Sequence, residues 1–343
     1  MKILLRILFL IIFFITGSMT LNAHPAWGIV IDAEANIYFA DIFHNGRGSV
    51  WKLHKNGTLE LLLKDFHSHN VSLDHDGNLV TAHGEQHHTM VRLLGNKVSD
   101  TIYTSENFEE FNGGNCTYTI DGDIIFGISN YLWRIDKDGT KSKLSDFRFE
   151  WNQTIFSDGE GNYYAPDIGR DNGAVIKIDK LGNSMVVATN LISRLDREYD
   201  RHNDVLLGIG KDDQGSLYIA ETAGKRIIKF SETGEKETFY TSGGDWFPNG
   251  ITFYSGEAYI LEVKMDNGYE GPRITKLLKD GTSEVIFNYD THKNPVTSGS
   301  SKNRDEEELN LIWFYLGLAL IIIVVLLLYR RLNIPASHLR GGN

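Results

Sequence analysis

The sequence predicts an all-β, six-bladed β-propeller ectodomain with one C-terminal transmembrane helix, and three observations carry that reading. A strand–turn–strand pattern recurs six times between residues 24 and 290, with turn anchors 42, 45, 39, 54 and 41 residues apart. No apolar pattern of helical period interrupts it. A nineteen-residue apolar run without a charge, residues 311–329, follows near the other end of the chain.

Residues 1–23 read as a secretory signal: Lys2 and Arg6 precede a short apolar core, and Ala23 suits cleavage. The repeats then begin. The clearest first hairpins are GIVIDAEANIYFADI (28–42), NVSLDHDGNLVTAH (70–83), TIFSDGEGNYYAPD (154–167) and GIGKDDQGSLYIAET (208–222). Shortened copies lie at 115–127 and 250–262. Each alternates apolar and polar residues on both sides of a turn rich in Asp, Gly and Asn, residue types that tolerate the positive φ of a tight hairpin. A second hairpin follows at 49–63, 131–144, 174–188, 226–240 and 273–287. Four strands in about forty residues is the period of a propeller blade, and stacked blades bury each other's faces. Residues 291–310 are polar and charged and read as a stalk. Residues 311–329 would span about 28 Å as a helix, enough for a hydrocarbon core. Arg330 and Arg331 open a short basic tail, 330–343, which the positive-inside rule puts in the cytoplasm. The expected protein is single-pass, with its propeller extracytoplasmic.

At these repeats the chain resembles the NHL-repeat and SMP-30/gluconolactonase/LRE-like superfamily of six-bladed propellers. The stretch 208–221 carries the Gly-Ile-x-x-Asp-x-x-Gly-x-Leu-Tyr-x-Ala pattern almost literally, and 28–41 carries it recognisably. The resemblance implies the fold across the ectodomain and leaves activity open, because one propeller scaffold hosts hydrolases, isomerases and binding modules. It also implies a metal site in lactonases of the SMP-30 type, held by a Glu, an Asn and an Asp. Asn115 falls at the substrate-side Asn of that group. Leu207 stands at the Asp position and Ala23 at the Glu position, so both anionic ligands are missing.

Counting back from the turn anchors places Trp27, His69, Asn115, Gln153, Leu207 and Asn249 round the channel mouth at the top face. His69, Asn115, Gln153 and Asn249 are the candidate ligand-binding ring, where neutral donors and acceptors either hold a polar ligand or one divalent cation, or satisfy strand ends. A second candidate ring closes the second strands: Asp41, His83, Asp167, Glu221 and Glu262. Four carboxylates there can bind a cation or act as acid and base. Recurrence in most blades favours a bracing role, because catalysis needs one or two special residues and not one per blade. Six of the twelve histidines lie between residues 66 and 88. His75 belongs to a bottom turn, whereas His69 and His83 reach the top face and form the candidate metal pair.

The net charge is −11, and removing Lys2, Arg6, Arg330, Arg331 and Arg340 leaves −16 for the remainder, which argues against nucleic acid as a partner. Cys116 is the single cysteine, so no internal disulfide exists and an apolar core must hold the domain. Two functions stand: a membrane-anchored propeller that binds a protein, glycan or small polar ligand on its top face, or a metal-dependent lactonase with a remodelled site. No cofactor is required by the first; the second needs a divalent cation.

Overall fold

The computed structural model describes residues 25–297, apart from 43–46, 85–87, 96, 108, 112–114, 194–204, 265–268 and 294. The predicted signal and residues 311–329 therefore lie outside the described residues. Among the described residues, no helix is long and apolar enough to cross a membrane.

The described chain folds into six four-stranded antiparallel sheets in sequence order. Blade one holds β1 (Ile29–Ile31), β2 (Ile37–Asp41), β3 (Ser49–Leu53) and β4 (Leu59–Lys64), and blade two β5 (Val71–Leu73), β6 (Leu79–His83), β7 (His88–Leu94) and β8 (Lys97–Ser105). Blade three holds β9 (Cys116–Tyr118), β10 (Ile124–Ile128), β11 (Tyr131–Ile135) and β12 (Lys141–Lys143), and blade four β13 (Phe156–Ser157), β14 (Asn162–Asp167), β15 (Ala174–Asp179) and β16 (Ser184–Ala188). Blade five holds β17 (Leu206–Lys211), β18 (Leu217–Glu221), β19 (Arg226–Phe230) and β20 (Lys236–Thr241). Blade six holds β21 (Trp246–Tyr254), β22 (Glu257–Lys264), β23 (Glu270–Leu277) and β24 (Ser283–Asn288). A last strand, β25 (Pro295–Thr297), returns to blade one and runs parallel to β4. These three residues fall within the segment the sequence suggested as stalk.

The six-bladed expectation holds. The second hairpin of blade two, β7–β8, was not among the clear sequence copies, and its ladder shifts register twice, which blurs the alternation. All six turn anchors (Ala35, Gly77, Gly122, Gly161, Gly215 and Gly256) adopt positive φ, and glycine at five of them avoids the backbone strain that Ala35 bears. An Asp at the start of the turn fixes most of these hairpins. The Asp32 carboxylate accepts the Glu34 and Asn36 amides at 2.9 and 2.8 Å, and Asp74, Asp158 and Asp212 repeat the arrangement. In blade three the Thr119 hydroxyl substitutes, accepting from the Asp123 amide at 3.0 Å. This is the Asx and Ser/Thr turn chemistry read from the sequence.

The core lies between blades. One cluster joins blades four, five and six, and others fill the remaining junctions; Phe39 of blade one meets Phe287 of blade six at 5.4 Å between centroids. Cys116 sits in the junction of blades two and three, where burial pushes its thiol up to about 12. It is an inert core residue, not a nucleophile.

Candidate functional site

The ring read from the sequence is assembled as neighbours. Asn249 Nδ2 donates to the Ala26 carbonyl at 2.9 Å, joining blade six to blade one. The Trp27 and Gly28 amides both donate to the His69 carbonyl, at 3.0 and 2.8 Å, joining blade one to blade two. Asn70 Nδ2 reaches the Cys116 carbonyl at 3.1 Å, and Asn115 Nδ2 the Asn152 carbonyl at 3.2 Å. Ring-position asparagines thus use their amide nitrogens as brackets between blades. A backbone carbonyl only accepts, so the nitrogen must face it and the amide oxygen must face the other way.

Asn70 Oδ1 accepts from the Val71 amide at 3.0 Å, whereas the oxygens of Asn115 and Asn249 have no protein donor. Asn115 Oδ1, Asn152 Oδ1, Gln153 Oε1 and Asn249 Oδ1 are all buried without a hydrogen bond. Asn115 is 9% exposed, Gln153 8% and Asn249 not at all. An unmatched buried acceptor costs about 1–3 kcal/mol, and a fold that keeps several at one place either hydrates them or holds them for a ligand. Asn115, Asn152 and Gln153 line one cavity of about 440 Å³ at the junction of blades three and four. Glu109, Tyr131, Glu150 and Trp151 belong to its walls. Gly127 makes room: a Cβ there would stand 2.3 Å from Asn115 Nδ2. A second space of about 330 Å³ is the central channel, lined by inner strands of all six blades and including Trp27, Asn70 and Lys211.

The second ring is turned towards the loops. Glu221 accepts from the Ser193 amide and hydroxyl at 3.1 and 2.9 Å, from the Gly224 amide at 2.9 Å and from Arg226 Nε at 2.8 Å. Asp167 accepts from the Glu150 and Trp151 amides at 3.0 Å and from Arg170 Nε at 2.9 Å. Glu262 is held by Arg273 Nε at 2.7 Å and by the hydroxyls of Tyr240, Ser242 and Thr275. All three are fully buried. Each acid ties the loop entering its own blade to an arginine of that blade or its turn. Asp41 accepts from the Tyr269 hydroxyl at 3.2 Å, and burial together with that carboxylate pushes the phenol well above its usual range. These four residues have the geometry of braces.

Blade three departs from this plan: Ile128 stands near the position where four other blades carry an acid. Its entering loop supplies its own acid, Glu110, which is 1% exposed. Glu110 accepts from the Tyr103 hydroxyl at 3.0 Å and from the Lys141 ammonium. Burial works against its charge, yet Lys141, Ser105 and Tyr103 hold the carboxyl below its ordinary value. His88 donates Nδ1–H to the Glu110 carbonyl. With no acid at Ile128, the space above β10 stays open, and the cavity lies there. Sequence reasoning missed Glu110, Lys141, Asn152 and Trp151; the missing acid was the one signal that could have pointed to them.

Among the histidines, the structure pairs His69 with His67. Their Nε2 atoms lie 2.9 Å apart, so one ring donates and the other accepts. His69 also packs against Trp27 at 5.2 Å between centroids. His83 stands edge-on to Phe66 at 5.1 Å, with the His67 ring at 6.4 Å. His67 therefore lies between the two members of the proposed metal pair. His75 is exposed in its bottom turn, and His87 lies outside the described residues. Among the described residues, no group of three or more His, Cys, Asp or Glu is placed to hold a metal ion. Leu207, at the expected metal-binding Asp position, is fully buried in the apolar core. Amide oxygens alone are weak ligands for a hard divalent cation, which draws most of its affinity from carboxylates. The ring as described does not fit one. The loop segments 194–204 and 265–268 lie outside the described residues.

No family model and no curated protein matches the chain. Solved structures do. Virginiamycin B lyase from Staphylococcus aureus is 14% identical, with 78% of this chain and 85% of that chain covered at a TM-score of 0.51. A putative gluconolactonase is 12% identical over 76% of this chain and 89% of that one, at 0.52. The calcium-binding protein regucalcin from Agrobacterium tumefaciens is 13% identical over 69% and 82%, at 0.50. The chain has their fold. At such identities the likeness concerns architecture, and the resemblance to SMP-30/gluconolactonase-like propellers holds at that level.

Proposed function

We propose that this propeller captures a small polar ligand at its top face, in the cavity between blades three and four and the adjoining ring. The observation that carries this reading is the set of buried amide oxygens at Asn115, Asn152 and Gln153, unmatched by any protein donor, on three residues that line one cavity. Its volume, about 440 Å³, lies in the range of small-molecule sites. The sequence adds the setting: the apolar run 311–329 would tether the propeller to a membrane, with the ligand met on the extracytoplasmic side.

A second reading, turnover of that ligand by a lactonase-like hydrolase, is favoured by the comparisons over binding alone, because proteins named gluconolactonase and lyase share the fold. In the adjoining ring the residue suited to it is His69, which does not itself line the cavity. With its Nε2–H donated to His67, the His69 imidazole can take a proton at Nδ1 from a water attacking a carbonyl carbon.

One experiment tests both. Gluconolactone is titrated into the full chain in detergent, with binding followed by ligand-observed NMR and ring opening by pH-stat. Asn115→Leu is expected to weaken binding by about tenfold, since it removes an acceptor and crowds the cavity. Turnover above background that falls at least about a hundredfold in His69→Gln would establish the hydrolase. Binding without turnover leaves a receptor, and no binding at all contradicts the proposal.

A further inference from the structure

The first and last blades meet at a seam unlike the other five. Each blade takes its four strands from one stretch of chain, so no strand is exchanged between blades six and one. The other seams are crossed by the polypeptide itself as it runs from one blade to the next. Here non-covalent contacts join the blades. Phe39 packs on Phe287, Asn249 Nδ2 donates to the Ala26 carbonyl, and the Tyr254 hydroxyl donates to the Ala33 carbonyl at 3.2 Å.

The chain after β24 lies over this seam. Asn288 ends the strand and turns the backbone into a short 3₁₀ turn, Tyr289–Thr291, its side-chain oxygen accepting the Asp290 amide at 3.0 Å. The Tyr289 ring stands edge-on to Trp51 of blade one, 5.4 Å between centroids. The Asp290 carboxylate accepts the Gly271 amide at 2.7 Å, which holds the start of β23. Tyr269, two residues earlier, crosses the same seam to Asp41. β25 then lies along β4, pairing Pro295 with Leu59 and Thr297 with Leu61. Three residues of parallel ladder are too few to hold alone, so β25 depends on the turn that delivers it.

We infer that the turn Tyr289–Thr291 and β25 form a latch, a strap laid from blade six onto blade one that sets how readily the ring opens at this one seam. Local opening takes the route that breaks the fewest constraints, and this seam alone has no chain running through it. Asn249 and Trp27 of the channel mouth stand on its two sides, so release of the strap loosens the ring there while the far blades stay closed. Residues 298–310 and the apolar run 311–329 are joined covalently to the propeller through β25. A pull on them therefore reaches the latch before it reaches any blade.

Native-state hydrogen exchange on the full chain in detergent tests the latch, with Tyr289→Ala/Asp290→Ala as the released variant. Exchange is expected to rise at least about tenfold in peptides covering β1, β4, β21 and β24, with peptides of blades three to five unchanged. Tyr289→Phe keeps the ring against Trp51 and should exchange like the parent. Ile176→Val, a cavity in the core of blade four, supplies ordinary destabilisation and should not reproduce the pattern. A rise spread evenly over all six blades would make the strap a general contributor to stability and overturn the latch. Exchange unchanged from the parent would overturn it too, leaving the segment a passive tail.

Discussion

Glu262→Leu is expected to destabilise the propeller by about 3–5 kcal/mol, the usual result of removing one partner from a buried ion pair. Glu262 has no exposure and gathers Arg273, Tyr240, Ser242 and Thr275 round one carboxylate. Leucine would leave four donors facing an apolar side chain, in a place where Arg273 itself is only 14% exposed. Much of that cost comes from the stranded guanidinium, so Glu262→Leu/Arg273→Met should recover a good part of it. Equilibrium urea unfolding of both variants measures the difference. A single variant as stable as the parent would mean that this acid faces a ligand and is not a brace.

Gly250→Ala is expected to cost at least about 3 kcal/mol, at the upper end of core overpacking. A Cβ on Gly250 would stand 2.1 Å from the Trp27 carbonyl oxygen and 3.0 Å from its carbon. Those are backbone atoms of the neighbouring inner strand, so no side chain can swing aside. Gly208 has the same constraint, with Gly250 Cα at 2.7 Å and the Asn249 carbonyl oxygen at 2.8 Å. Blades five, six and one therefore meet through bare backbone round the channel. Gly234→Ala serves as the comparison: its nearest neighbour is 3.8 Å away, and its positive φ costs only ordinary backbone strain. Thermal unfolding of the two variants should separate them clearly. Equal shifts would contradict the close approach.

The blade plan was legible because it rests on local chemistry that sequence displays directly. Asp32, Asp74, Asp158 and Asp212 start their turns, the anchors need positive φ, and the alternation shows which side of a strand is buried. The ring was legible for the same reason, since counting back from a turn along a regular strand gives height in the blade. What escaped is non-local. Whether Asp167 faces a ligand or the Glu150 and Trp151 amides depends on a loop whose path no strand period specifies. Whether His69 meets His67 or His83 depends on ring orientation within one blade. The cavity arises from an absence, the acid missing at Ile128, and from Glu110 entering along a different route.

Under the proposed function, the acceptors between blades three and four are kept for a ligand at the expense of stability. Urea unfolding of Gln153→Leu tests it directly. Gln153 is 8% exposed and its Oε1 accepts nothing from the protein, so leucine removes an unmatched buried acceptor. The variant should be as stable as the parent or more stable by up to about 1 kcal/mol. A loss of about 2 kcal/mol or more would show that Gln153 holds the blades together, and the ligand site would have to be sought elsewhere.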